Sequence, residues 1–197
     1  MGITNFDLEI LDKVIDEYKP KSVIELGDQQ TYVMGEHYGH HANWYYESKG
    51  ITNYKCIDLN GNNNCLVWDL SKPQENTEHF DLVTNFGTVE HIGDNGQFSL
   101  EASYNCFKTM HDLLNIGGIV INENPKTGHW EKHGFIFMTQ DFYLEFAKVA
   151  GYEIIHIGEV GAMGNWQTGM NVFCVLKKNS EKFPTLEQFK KLPLKQK

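Results

Sequence analysis

The feature that most constrains this chain is a series of apolar runs, each ending at a polar residue or a glycine: Val23 to Leu26 into Gly27, Tyr54 to Asp58, Cys65 to Asp69, and Phe80 to Ile92. Short runs bounded by turn residues read as buried strands. When such strands alternate with helices they form an open α/β sheet, and the loops that follow the strands carry its ligand site.

The intervening segments supply the helices. Thr4 or Asn5 caps a helix whose apolar positions Phe6, Ile10, Leu11, Val14, Ile15 and Tyr18 keep helical spacing until Pro20 stops it. The stretch from Gln30 to Gly50, crowded with His37, Tyr38, His40, His41, Trp44, Tyr45 and Tyr46, reads as a crossover helix with a polar surface. Ser71 to His79 is a loop. A longer helix runs from about Gln97 to Asn115, with Leu100, Tyr104, Phe107, Met110, Leu113 and Leu114 as its buried stripe. Ile119 to Ile121 follows as a strand, and a helix opens at Thr139 or Gln140 and ends at Gly151. Two last strands, Tyr152 to Ile157 and Asn171 to Leu176, flank a Gly-rich loop and are expected to be antiparallel, since no comparable helix joins them.

Length and composition narrow the class. With 197 residues the chain fits one domain with a sizeable core, expected over 1–178, followed by a solvated Lys-rich tail over 179–197. All seventeen basic residues are Lys, against a formal net charge of -9. Arg is the usual bidentate reader of phosphate and of guanine, so nucleic acid is not an expected partner. No apolar run reaches eighteen residues and the start lacks a signal-peptide pattern, so a membrane is not expected either. Cys56, Cys65, Cys106 and Cys174 form no CxxC pair and read as separate reduced thiols, which points to a cytoplasmic protein.

The strand ends carry a family likeness. Val23-Ile24-Glu25-Leu26-Gly27 resembles the first motif of class I S-adenosylmethionine-dependent methyltransferases, and Asp58 stands where that family places an acid for the ribose hydroxyls. Asp69, in Leu66-Val67-Trp68-Asp69-Leu70, resembles the acid near the adenine. Phe80 to Val83 with Thr88-Val89-Glu90-His91-Ile92 resembles the fourth motif, and Leu113 to Val120 the helix-turn-strand after it. The likeness covers roughly residues 5 to 177. It departs at the first loop, where Asp28, Gln29, Gln30 and Thr31 stand in place of further glycines. The dinucleotide fingerprint G-x-G-x-x-G is absent, which disfavours a nicotinamide-dependent oxidoreductase.

The resemblance implies a Rossmann-like, doubly wound α/β sheet, mostly parallel with an antiparallel C-terminal strand and helices on both faces. It further implies S-adenosylmethionine as cofactor and methyl transfer to a hydroxyl or amine of a small molecule, a sugar or another metabolite, with a homodimer compatible. Glu25, Gly27, Gln29, Asp58, Leu59, Asp69, Leu70 and Asn85 are the expected cofactor residues, and Glu90, His91 and His133 the catalytic ones. Glu123, His129 and Trp130, on the polar aromatic loop after the fifth strand, are expected to meet the acceptor. Glu90, His91, Glu123 and His133 could converge on a divalent ion, but with no HExxH pattern the sequence assigns no metal. The alternative is a non-catalytic module that kept the fold with an eroded cofactor loop.

Overall fold

The computed structural model describes residues 2–33, 35, 37–130, 133–161 and 170–196, with the backbone alone at 195 and 196. Glu131, Lys197 and the centre of the Gly-rich loop expected before the last strand lie outside these residues.

Along the chain come α1 (Asn5–Tyr18), β1 (Ser22–Leu26), α2 (Asn43–Ser48), β2 (Asn53–Ile57), β3 (Phe80–Phe86), α3 (Leu100–Leu113) and β4 (Leu114–Pro125). They are followed by β5 (Ile136–Phe137), α4 (Gln140–Ala150), β6 (Tyr152–Gly161), β7 (Met170–Lys178), α5 (Leu186–Phe189) and β8 (Lys195–Gln196). Six strands form one sheet in the order β2-β1-β3-β4-β7-β6. The pairings of β1 with β2, β1 with β3 and β3 with β4 are parallel, and β7 lies antiparallel between β4 and β6. The order reverses at β1, whose two neighbours lie on either side, and this is where an open sheet leaves a crevice at its strand ends.

Local chemistry sets the boundaries. The Thr4 N–H and hydroxyl both donate to the Asp7 carboxylate, at 2.7 and 2.8 Å, which fixes the start of α1. Lys19 turns into the left-handed region at φ 50°, just before Pro20, and ends it. Ser99 and Thr139 cap α3 and α4 by accepting the Ala102 and Phe142 N–H groups, at 3.2 and 3.1 Å.

Neighbouring strand residues point to opposite faces and build two cores. Ile24, Leu26 and Val83 join Phe107, Phe142 and Phe146 of α3 and α4 on one face; Val23, Leu82 and Phe173 join Leu11, Val14 and Ile15 of α1 on the other. Burial on both faces explains why the parallel strands read as continuous apolar runs.

Four expectations are corrected. Cys65 to Asp69 is not a strand: a single parallel bridge pairs Ile57 with Leu66, because three polar turn residues, Asn62–Asn64, bring the chain back too tightly for a ladder. Among the described residues the helix of the crossover after β1 is the six-residue α2, not one spanning 30–50, and the segment before it is closed by Thr31 Oγ1 donating to the His37 and His40 carbonyls at 2.6 and 3.2 Å. Cys56 and Cys65 are joined in a disulfide, so the expectation of four reduced thiols fails, and with it the ground for a cytoplasmic setting; Cys106 and Cys174 are buried and free. Spacing alone gave no hint of this, since it is the return of the loop that brings the two sulfurs together.

The segment expected as a solvated tail is packed onto the body. Phe189 is fully buried, its ring 5.7 Å from Phe107 and 6.1 Å from Phe142. Phe183 lies against Tyr104 and His111, and β8 pairs antiparallel with β5. The many Lys residues hid the apolar anchors between them.

Candidate functional site

A cavity of about 330 Å³ opens at the C-terminal ends of β1, β2 and β3. Its wall is built from the loops after those strands: Gly27 to Gln29, Asp58 with Leu59, Trp68 to Ser71, Gly87 with Thr88, and His91 to Gly93. That volume is at the small-ligand end of the usual range for binding sites.

The floor is the turn after β1. Gly27 has φ 85°, and its N–H donates to the Ile57 carbonyl at 2.8 Å. A Cβ there would stand 2.5 Å from Thr88 Oγ1 and 2.7 Å from Gln29 Nε2, so only glycine fits. Gln29, which stands where further glycines were expected, does not block the turn. Its Nε2 donates to the Leu26 carbonyl at 2.9 Å and to Thr88 Oγ1 at 3.1 Å, bracing the loop from below. Its Oε1 is buried and has no hydrogen-bond partner, an arrangement that a ligand donor would complete.

Opposite lies Asp58. One carboxylate oxygen accepts the Asp28 N–H and the other the Asn60 N–H, both at 3.0 Å. Each oxygen keeps further lone pairs, so the group can still accept from two neighbouring hydroxyls. Asp69 is exposed at the rim, with Oδ1 accepting the Ser71 N–H and hydroxyl at 3.0 and 2.6 Å. Leu59, Trp68, Leu70, Ile57 and Ile92 supply apolar surface between the two acids.

The remaining wall is His91, on a one-turn 3-10 helix, Val89–His91, that follows β3. Asn85 sets this turn by accepting the Thr88 and Val89 N–H groups at 3.0 and 3.1 Å, so it shapes the cavity without lining it. Glu90 turns the other way and is fully buried. Its Oε2 accepts from Asn124 Nδ2 at 2.7 Å, while Asn124 Oδ1 accepts from the Tyr143 hydroxyl at 2.7 Å and from Asn85 Nδ2 at 3.1 Å. Glu90 Oε1 stands 3.6 Å from His133 Nε2 and 3.8 Å from His91 Nε2. The two imidazole rings meet edge to face, 4.6 Å apart between centroids. Burial, opposed in part by the Glu90 charge, lowers the His91 pKa below its ordinary 6.5.

Gly134 is what brings His133 to this place. At φ 66° its Cα passes so close that a Cβ would stand 2.8 Å from the Glu90 carbonyl, and the next residue, Phe135, donates its N–H to that carbonyl at 2.6 Å. The sequence singled out Glu90, His91 and His133, and the structure brings all three together.

Other expected residues sit elsewhere. Glu25 does not line the cavity: it is buried within the sheet and accepts from the Tyr54 and Tyr46 hydroxyls at 2.8 and 3.1 Å and from Thr84 Oγ1 at 3.3 Å. Burial outweighs these donors and pushes its carboxyl up to about 7. Glu123 faces α1 instead. It accepts from Asn171 Nδ2 at 2.5 Å, and burial together with the neighbouring Asp7 pushes its carboxyl well above the usual range. Trp130 is anchored to β7 through its indole N–H, which donates to Asn171 Oδ1 at 2.8 Å, and its ring lies 5.3 Å from His133. The His129 N–H donates to the Lys126 carbonyl at 3.1 Å, and the residue is not in the cavity wall. Sequence reasoning did not single out Thr88 or Asn124 as site residues; the Gly87-Thr88 turn after β3 was the available signal for the first, and nothing local marks the second.

No family model and no curated protein matches the sequence. Solved structures do match. The 1,6-didemethyltoxoflavin-N1-methyltransferase of Burkholderia thailandensis, with 1,6-didemethyltoxoflavin and S-adenosylhomocysteine bound, superposes with a TM-score of 0.62 at 11% identity, over 86% of this chain and 76% of that one. The N-methyltransferase NodS of Bradyrhizobium japonicum, in complex with S-adenosylhomocysteine, gives 0.56 at 11% identity, over 90% and 89%. CalS10, an amino pentose methyltransferase of Micromonospora echinaspora with SAM bound, gives 0.56 at 14% identity, over 85% and 89%. With a mixed sheet of the same build, helices on both faces and its cavity at the switch point, this chain has the class I methyltransferase fold.

Proposed function

We propose that the protein is an S-adenosylmethionine-dependent methyltransferase acting on a hydroxyl or amine of a small molecule, a sugar or another metabolite. The observation that carries this reading is the division of one cavity between two chemistries: the Asp58 carboxylate with apolar walls at one end, and His91, backed by Glu90 and His133, at the other.

The cofactor fits the residues present. Asp58 accepts from the two ribose hydroxyls, and Trp68, Leu59 and Leu70 flank the base with Asp69 at its amino edge. Gly27, Gln29 and Thr88 hold the amino-acid part, where the unpaired Gln29 Oε1 takes an ammonium hydrogen. When bound, this cofactor supplies an electrophilic methyl group on a sulfonium. The chain's own part is to hold the acceptor in line, to keep water out, and to accept its proton at the cluster of His91, His133 and Glu90. Asn85 acts behind the wall by setting the turn that carries His91, and Glu25 ties β1 to β2, β3 and α2 beneath the first loop. Trp130 and His129 border the acceptor side through their loop.

Calorimetric titration with S-adenosylmethionine and S-adenosylhomocysteine tests the reading. Binding of both is expected, and Asp58→Ala should weaken it by about 1–3 kcal/mol through lost charge-assisted hydrogen bonds. If the folded protein bound neither compound, the chain would instead be a non-catalytic module in which the Gln29 side chain has taken over the cofactor turn.

A further inference from the structure

We propose that Glu90, His91 and His133 form a binding site for a first-row divalent cation, with Glu90 Oε1, His91 Nε2 and His133 Nε2 as ligands. Two of these atoms are otherwise unexplained. Glu90 is fully buried, yet its Oε1 has no hydrogen-bond partner, and neither has the buried Nε2 of His133. Among the described residues the ion-pair neighbours of Glu90 are those two histidines, at 3.8 and 3.6 Å, both beyond hydrogen-bond range. An unpaired carboxylate oxygen is costly in a protein interior, and a cation between the three groups removes that cost.

The geometry fits such an ion. The three ligand atoms lie within 4.8 Å of one another. Tetrahedral ligands at the usual zinc distances stand about 3.4 Å apart, so small side-chain rotations complete the set. The support behind the ligands is of the kind metal sites use. Asn124, itself held by Tyr143 and Asn85, grips Glu90 Oε2 and leaves Oε1 free to face the imidazoles. Gly134 allows the loop carrying His133 to come close to Glu90. Two imidazoles and one carboxylate favour zinc, cobalt, manganese or iron over magnesium or calcium.

Three protein ligands leave at least one position open, and His91 lines the cavity, so the open side receives an oxygen from a bound small molecule. This role rests on the methyl-transfer reading and narrows its acceptor to a hydroxyl compound. With the three groups held as ligands, the cation takes over the part otherwise given to them as proton acceptors: a hydroxyl bound to it loses its proton to solvent more readily and keeps lone pairs for reaction, whereas an amine spends its one lone pair on the metal.

The test is titration of chelator-treated protein, under non-reducing conditions, with Co²⁺ and Zn²⁺, followed by calorimetry and visible absorption. One ion per chain is expected, with Co²⁺ giving the visible bands of a site with nitrogen ligands. Glu90→Gln and His133→Ala should each weaken binding at least about 100-fold. His41→Ala, which removes the imidazole beside the Cys56–Cys65 pair, should leave binding unchanged. If Glu90→Gln bound Co²⁺ as tightly as the wild type, or if His41→Ala abolished binding, the site would be overturned. Should Glu90→Gln fail to fold, a wild type whose thermal midpoint and visible spectrum do not respond to either ion would overturn it equally. S-adenosylhomocysteine titration of both Glu90→Gln and wild type separates the two readings. Cofactor binding retained by the variant that has lost the metal supports the site, while a wild type that binds the metal but not the cofactor supports the site and removes the methyl-transfer role.

Discussion

Glu25 stands behind the cavity wall and not in it. It stands two positions before the glycine turn with its carboxylate surrounded by Tyr46, Tyr54 and Thr84, and burial raises its pKa from 4.5 to about 7. A carboxyl raised in the folded state favours the fold while it is protonated. Its contribution is therefore fully present below about pH 4.5 and is lost as pH rises through about 7. That shift corresponds to about 3 kcal/mol between the two limits. Glu25→Gln keeps a neutral group of the same shape and removes the titration. In urea unfolding at about pH 5 and about pH 8, wild type should lose stability between the two relative to the variant. Parallel behaviour of the two proteins would show that Glu25 is ionised in the folded state throughout. The motif was legible as apolar-apolar-acid-apolar-Gly, but the role of the acid was not, because its tyrosine partners lie 21 and 29 residues away in sequence.

Among the elements, the strand ends were readable where burial on both faces makes the sequence apolar throughout, as in β1 and β3. The helices were readable from their caps and their 3.6-residue stripes. What escaped was anything decided by return of the chain. Residues 65–69 look like a strand, yet they contribute one bridge to β2, reinforced by the Leu66 N–H donating to the Cys56 carbonyl at 2.7 Å and the Asp58 N–H to the Leu66 carbonyl at 3.0 Å. The Cys56–Cys65 bond stands in for the missing ladder. It closes the loop that holds Asp58 and Leu59 against the cavity, spanning 9 residues of sequence. A loop of that size is worth about 2–3 kcal/mol in chain entropy. Replacing both cysteines by serine should lower stability by that amount and weaken S-adenosylhomocysteine binding as Asp58 loses its fixed position. Denaturant midpoints and calorimetry with and without reductant measure both effects. A variant with wild-type stability and affinity would show that the backbone bonds of the loop suffice alone.

At the scale of the whole molecule, the last residues act as a strap across the face formed by α3 and α4. Phe183 and Phe189 fill that face, with Phe189 packed among Tyr104, Phe107, Phe142 and Phe146 and fully shielded from solvent. The chain then continues to β8, which pairs with β5, the strand that begins two residues after Gly134. The strap thus connects the larger core to the loop that places His133 beside Glu90. Removing the Phe189 ring leaves a cavity that four surrounding aromatic rings cannot close. Phe189→Ala should therefore cost about 3–5 kcal/mol, a core-sized effect in a segment whose composition reads as solvated surface. Urea unfolding gives the number directly. A loss within about 0.5 kcal/mol, the size expected of an exposed side chain, would mean that the segment lies on the body without stabilising it. With a core-sized loss, β8 and the His133 loop should loosen together, so amide exchange at Ile136 and Phe137 should rise in the variant while that of β1 and β3 stays low.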